Sequence, residues 1–165
     1  MEKYNVSWLQ YQALINKICR DISLSDWKPD YVVGITRGGL LPAVMISHYF
    51  NIPCQTIKVQ LRDGDDCESN LWMAEDAFEE KNILIADDIN DTGATLNWIM
   101  DDWQANCLPD HTRWNEVWNN NVKFAVMFDN LASSCKVKMD FTGEEINKAE
   151  RNIWIDFPYE DWWTK

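Results

Sequence analysis

The sequence predicts an α/β domain with a central, mainly parallel sheet flanked by helices. Three observations carry this. Short, mainly apolar runs recur at residues 31–35, 83–86 and 122–128, the last broken only by Lys123, the pattern of strands buried on both faces. The first two lead through a glycine-containing turn into a segment with helical apolar content, the strand–turn–helix order of parallel sheets. The 165 residues suffice for one domain with a sizeable core.

Taken in order, Ser7 can cap a helix running to about residue 23, with Trp8, Tyr11, Ile15, Ile18 and Ile22 as one stripe at spacings of three and four. Residues 27–30 turn the chain at Pro29. The strand at 31–35 runs into Thr36-Arg37-Gly38-Gly39, then an apolar helix that tolerates Pro42 near its start. His48 on that helix is read as structural, since no second His or Cys sits at ligand spacing. Residues 54–60 alternate enough for a strand. Residues 61–80 are polar, acidic and irregular, and a loop of that length in a compact domain is usually functional or disordered. Its acids Asp63, Asp65 and Asp66 lack the rest of a calcium loop and read as a solvated turn.

The strand at 83–86 stops at Asp87 and Asp88. Asp91-Thr92-Gly93-Ala94-Thr95 follow, then a helix to about residue 105 with Leu96, Ile99, Met100 and Trp103 on its apolar side. In the next stretch Trp114 and Trp118 lie four apart, compatible with a short helix that covers the core or meets another subunit. A strand at 122–128 ends at Asp129-Asn130, a further strand is expected at 137–141, and an aromatic-rich segment, 153–162, closes the chain.

Composition limits the functions available. Net charge is −12, with 27 acids against 15 Lys and Arg, which disfavours nucleic acid and anionic membrane. A phosphate-rich ligand would have to be held locally, by backbone amides, Mg²⁺ and a few placed cations. The five cysteines (Cys19, Cys54, Cys67, Cys107, Cys135) include no CxxC pair, against a structural zinc site and for reduced thiols in a cytoplasm. The N-terminus is polar rather than a signal peptide, and no apolar stretch reaches membrane-spanning length.

The chemistry concentrates at 83–96. A turn at the carboxyl end of a strand is where open α/β sheets bind ligands. Thr92 to Thr95 offer backbone N–H groups and hydroxyls at a helix N-terminus, which suits a phosphate, and Gly93 lets the backbone approach it. Asp87 and Asp88 would repel that phosphate, so they must face hydroxyls, a metal ion or a protonated base. A Thr or Asp cap on an ordinary helix accounts for the hydroxyls by itself, and Asp-x-x-Asp-Thr-Gly alone would also fit a phosphatase with an aspartyl nucleophile.

The full run resembles the phosphoribosyl-diphosphate (PRPP) signature of the type I phosphoribosyltransferases: apolar residues, two acids, two variable residues, Asp-Thr-Gly, a small residue and Thr. Every defining position matches. Arg37-Gly38-Gly39 resembles the family's diphosphate loop. The continuation through Pro42 and Asn51-Ile52-Pro53, and the tail with Trp154-Ile155, Pro158, Tyr159 and Glu160, are similar to bacterial xanthine-guanine phosphoribosyltransferases. The resemblance implies one domain over 1–165, with a small base-binding hood from 141–165, a flexible loop at 61–80 that closes over diphosphate, and an insertion at 104–121.

It also implies roles. Asp87 and Asp88 would hold the ribose hydroxyls, with Asp88 reaching Mg²⁺. Thr92, Gly93, Ala94 and Thr95 would cradle the 5′-phosphate, and Arg37 with the amide of Gly38 would bind diphosphate. Asp91 would be the catalytic base toward purine N7. Trp154 would stack on the purine and Ile155 would present its backbone to it. The partners implied are PRPP and a nucleobase, in a homo-oligomeric (dimeric or tetrameric) cytoplasmic salvage enzyme.

Two departures stand out. The flap lacks the family's Ser-Tyr pair, leaving Lys58 and Arg62 as its nearby cations. The lysine that faces a 6-oxo group in the family aligns with Asn130, which can donate a hydrogen bond but carries no charge. Three functions therefore remain open: a 6-oxopurine phosphoribosyltransferase, an enzyme of the same fold using another nucleobase, and a nucleotide-sensing regulator. Asp91 favours catalysis.

Overall fold

The computed structural model describes residues 1–62 and 66–165. Asp63 and Asp65 of the expected acidic turn lie outside the described residues. A six-stranded sheet forms the centre, in the order β4-β3-β2-β5-β6-β7. Its strands are β2 (Tyr31–Thr36), β3 (Cys54–Gln60), β4 (Asp66–Cys67), β5 (Ile83–Asn90), β6 (Val122–Asn130) and β7 (Phe141–Ile146). All pairings are parallel except β3 with β4 at one edge.

Helices cover both faces. Helices α1 (Trp8–Leu24) and α2 (Leu40–Phe50) share one core layer, in which Tyr11, Ile15, Ile18, Ile22, Ala43 and Ile46 are buried against the sheet. Helices α3 (Leu71–Phe78) and α4 (Ala94–Asn106) share the other, around Met73, Ile99 and Trp103. The sheet's central strands supply apolar side chains to both layers, which is why they read as continuous apolar runs. Ser7 caps α1 in a reciprocal box with Gln10. Of the expected stripe only Trp8 stays exposed.

Several expectations are corrected. Strand β5 does not stop at the acids; pairing with β6 carries it to Asn90, whereas pairing with β2 ends at Ala86. Asp87 and Asp88 thus lie on a strand whose β2 side has opened. The expected loop at 61–80 is shorter: β4 turns back on β3, and α3 folds at Leu71–Phe78, capped by Asn70. The signal was Met73, Ala74 and Ala77 at helical spacing, all buried.

The strand expected at 137–141 begins instead at Phe141. Asp140 occupies the β6 edge just before it, donating its N–H to the Phe124 carbonyl and accepting the Phe124 N–H on its carboxylate.

Residues 141–146 belong to the main sheet rather than to a hood. A separate two-stranded parallel sheet joins β8 (Ile153–Asp156) to β1 (Glu2–Asn5) at the N-terminus. The polar EKYN run carries no apolar alternation to announce that strand.

Residues 104–121 begin as the last turn of α4. A 3₁₀ turn at Thr112–Glu116 then folds back over the second core layer. There Trp114 stacks on Trp118 at 5.6 Å and donates its indole N–H to the Cys107 carbonyl at 2.7 Å. Among the described residues, no helix is long and apolar enough to cross a membrane.

Candidate active site

The chain leaves β2 through α2 to β3 on one side, then crosses back past β2 and builds β5, β6 and β7 on the other. The order reverses between β2 and β5, the crevice where open α/β sheets take ligands. The turn after β2 and the end of β5 meet there, lining a cavity of about 1440 Å³. Arg37, Gly38, Asp87, Asp88, Asp91, Thr92, Gly93, Ala94, Thr95, Trp154 and Ile155 all border it, brought together from three widely separated segments.

The helix start is built for an anion. Gly93 has φ 90° and precedes α4, a conformation that favours glycine. A β-carbon there would also run into the backbone of Cys135. The first intrahelical bond is donated by Asn97 to the Gly93 carbonyl, so the amides ahead of it have no partner within the helix. Thr92 Oγ1 accepts the Ala94 N–H at 3.3 Å, and the Ser134 N–H holds the Thr92 carbonyl at 2.8 Å. The loop is braced from behind and open in front.

Across the crevice, Arg37 is exposed and forms no ion pair among the described residues. An exposed cation and the amides of a helix start on one cavity give two positive ends for a ligand with separated phosphates.

Between these ends lie the two carboxylates. Asp87 Oδ1 accepts the Asp88 N–H, and Asp88 Oδ1 accepts the Ile89 N–H. The Tyr159 hydroxyl donates to Asp88 Oδ2 at 3.3 Å. Burial, then the neighbouring Asp88 charge, pushes the Asp87 carboxyl well above the usual carboxylate range. Burial also raises Asp88, against the hydrogen bonds it accepts. Neither has a cation in ion-pair reach among the described residues.

Such a pair is suited to hydroxyl donors or a divalent ion. Among the described residues no group of three ligating side chains gathers for a metal. Two carboxylates match Mg²⁺, which is held by one or two acids together with phosphate oxygens, better than a resident metal cage.

Asp91, three positions after Asp88, borders the same cavity. Lys148 Nζ lies 3.0 Å from its Oδ1, and Arg62 lies 3.9 Å from its Oδ2. Trp154, 38% exposed, turns its ring toward the same space, with Lys148 Nζ 5.9 Å from the ring centroid. The carbonyls of Asn152 and Asp156 accept the N–H groups of Glu2, in β1, and of Val6, just beyond it. Since bonding alternates along a parallel ladder, Ile155 turns its backbone groups to the other, open edge of β8.

Asn130 is not brought to the cavity. It is 6% exposed, and its amide is fully used. Its NH₂ donates to the Asp91 carbonyl at 2.9 Å and to Asp91 Oδ1 at 3.4 Å, and its oxygen accepts from Ala132 and Lys148 N–H. Sequence reasoning missed Lys148 and the contact of Tyr159 with Asp88. Lys148 lies in an unremarkable polar stretch between β7 and β8, and only the fold brings it to Asp91.

The pattern of the phosphoribosyl transferase domain matches residues 7–162. Over 123 residues the chain is 24% identical to xanthine phosphoribosyltransferase 1 of Saccharomyces cerevisiae, covering 60% of this chain and 59% of that protein. Over 101 residues it is 28% identical to xanthine-guanine phosphoribosyltransferase of Chromohalobacter salexigens, covering 61% of each. The chain thus spans less than two thirds of the length of either relative. Among solved structures, purine phosphoribosyltransferase from Pyrococcus horikoshii OT3 is similar with a TM-score of 0.70 and 26% identity, covering 97% of this chain and 95% of that one. With the pattern matched almost from end to end and the reversed sheet order placing both loops at one crevice, the chain belongs to the phosphoribosyl transferase domain family.

Proposed function

We propose that this protein transfers 5-phosphoribosyl from PRPP to a purine of the guanine, xanthine or hypoxanthine kind, yielding the nucleoside monophosphate and diphosphate in purine salvage. The observation that carries this reading is the convergence on one cavity of a helix start with open amides, an arginine and two carboxylates that form no ion pair among the described residues, and Asp91 with the exposed indole of Trp154.

In the proposed reaction the bond from ribose C1′ to diphosphate breaks and the bond from C1′ to purine N9 forms. Positive charge develops on the ribose as diphosphate leaves. Asp87 and Asp88 meet that charge and the ribose hydroxyls. The amides and hydroxyls of Thr92 to Thr95 hold the 5′-phosphate. Arg37 and the Gly38 amide hold diphosphate. Asp91 takes the N7 proton as N9 attacks. Trp154 stacks on the base, and the open edge of Ile155 meets its polar rim. Asp88 would hold Mg²⁺, which when bound neutralises diphosphate charge.

All five cysteines are unpaired, which supports a reducing, cytoplasmic setting. Exposed Trp8, Leu9, Val44 and Tyr49 on α1 and α2 support a homo-oligomer through that face, to be read by sedimentation.

The deciding experiment supplies PRPP and Mg²⁺ with guanine, xanthine, hypoxanthine, adenine, uracil or orotate and follows nucleotide and diphosphate. Product from a 6-oxopurine is expected. Product only from another base would keep the chemistry and change the acceptor. Binding of PRPP with no transfer to any base would favour a nucleotide sensor.

A further inference from the structure

We propose that Lys148, from the segment between β7 and β8, selects a 6-oxo over a 6-amino purine. In this proposal Asn130 is a buried bracket that positions Lys148 and Asp91 and does not read the base. The inference rests on the purine reading above and deepens it.

The hydrogen-bond account of Asn130 comes first. A side-chain amide has two N–H donors and one oxygen with two lone pairs. Both donors go to Asp91, and both lone pairs go to the N–H groups of Ala132 and Lys148. Nothing is left for a ligand, and the residue is only 6% exposed.

The same four bonds tie two segments together. One is the Asp91 turn after β5; the other is the backbone of Lys148, which the Asn130 oxygen fixes at 3.0 Å. Lys148 therefore enters the cavity from a held backbone.

Its side chain is 20% exposed, with Nζ 3.0 Å from Asp91 Oδ1 and 5.9 Å from the Trp154 ring centroid. An ammonium has three donors. One is answered by Asp91, and Lys148 forms no other ion pair among the described residues. The wall next to Trp154 thus offers an acceptor, Asp91, beside a donor, Lys148.

That order is complementary to one edge of a 6-oxopurine carrying its proton on N7. N7 and the 6-substituent are neighbours on that edge. N7–H donates to Asp91, and the 6-oxo oxygen accepts from Lys148. A 6-amino group at the same place turns a donor toward the ammonium, and the pairing is lost. The charge that the sequence pattern lacks at Asn130 is supplied from a different segment.

The test measures IMP and AMP affinity by calorimetry, and kcat/KM for hypoxanthine and adenine, in the wild-type chain, Lys148→Met and Lys148→Arg. PRPP affinity is measured in parallel. Wild type should prefer IMP. Lys148→Met should lower the IMP-to-AMP affinity ratio by about tenfold to a hundredfold, mainly through IMP, with PRPP affinity held within about twofold. Lys148→Arg should recover part of the ratio. IMP and AMP weakening together at an unchanged ratio would mean that Lys148 only props Asp91, and would overturn the proposal. A wild type that binds PRPP but does not distinguish IMP from AMP overturns the proposal and leaves the transfer reading standing. A wild type that does not bind PRPP removes the transfer reading itself. Melting temperatures of both variants report whether the fold is kept, and Lys148→Arg carries the test if Lys148→Met unfolds.

Discussion

The carboxylate of Asp88 lies against the α-carbon of Gly38, so close that any β-carbon at position 38 would overlap it. Two loops from different strands are thereby fitted to each other through the absence of a side chain. The acid pair and the expected diphosphate loop work as one surface. Gly38→Ala should push the Asp88 carboxylate off the hydrogen bonds it accepts from the Ile89 N–H and the Tyr159 hydroxyl, with a modest fall in melting temperature. PRPP affinity should fall by about tenfold or more, since small misplacements at a reacting centre are costly. Calorimetry against PRPP and a melting curve separate the two effects; a variant that binds PRPP as wild type does would show the fit to be incidental.

Asp87 carries the opposite balance. Its carboxylate is desolvated, stands beside Asp88 and has no cation partner among the described residues. Asp87→Asn should raise the melting temperature of the ligand-free protein, by about 2–4 °C for each kcal/mol relieved, and should remove activity. The folded-state pKa is raised, so above the ordinary carboxylate range the native protein retains a proton that the unfolded chain has lost. Wild-type stability must fall as pH rises through that window. The advantage of Asp87→Asn should appear at neutral pH and shrink as pH falls. Melting curves against pH in both proteins check this.

Much of this site was legible in the sequence because its parts are local. The run from Ile83 to Thr95 reads as strand, acids and helix start within thirteen positions, and the glycines report close backbone approach. What escaped was non-local. Lys148 and Asp91 are 57 positions apart, and their 3.0 Å contact exists only because β7 sends the chain back over the end of β6. The burial of Asn130 was hidden for the same reason: position in a pattern does not say where four hydrogen bonds will go. Strand β1 escaped because pairing with β8, not its own composition, makes it a strand.

Asp91→Asn keeps the size of the side chain and removes its basicity. Transfer to any purine should drop by about 10²–10⁴-fold in kcat, the usual worth of a general base, while PRPP binds with near wild-type affinity. Rapid-quench turnover beside a PRPP titration makes the distinction. Equal losses in both would assign Asp91 to ligand binding instead.

Asn130→Ala should behave differently from any change at Lys148. It strands the Lys148 and Ala132 N–H groups and the Asp91 carbonyl, and leaving a buried group unpaired costs about 1–3 kcal/mol. Melting temperature should fall, and activity should fall for every accepted base together, because both Asp91 and Lys148 lose their support. A selective loss with one class of base would return Asn130 to the role its position in the pattern implied.

Trp114 tests the segment at 104–121. It is 2% exposed, stacked on Trp118 at 5.6 Å and bonded through its indole to the Cys107 carbonyl at 2.7 Å. Trp118 in turn meets Trp103 and Phe124, so the segment closes the core layer under α4. None of these aromatic residues borders the large cavity. Trp114→Ala opens a void where a large aromatic had filled the layer, at a cost of about 3–5 kcal/mol. Denaturant midpoints should fall sharply, while PRPP affinity and base preference, measured below the new melting point, stay within about twofold. Trp114→Phe keeps most of the volume and loses the indole bond, so its cost should be the smaller. Loss of PRPP affinity in a Trp114→Ala protein that remains folded would instead tie this segment to the site through α4, whose first turn follows Gly93.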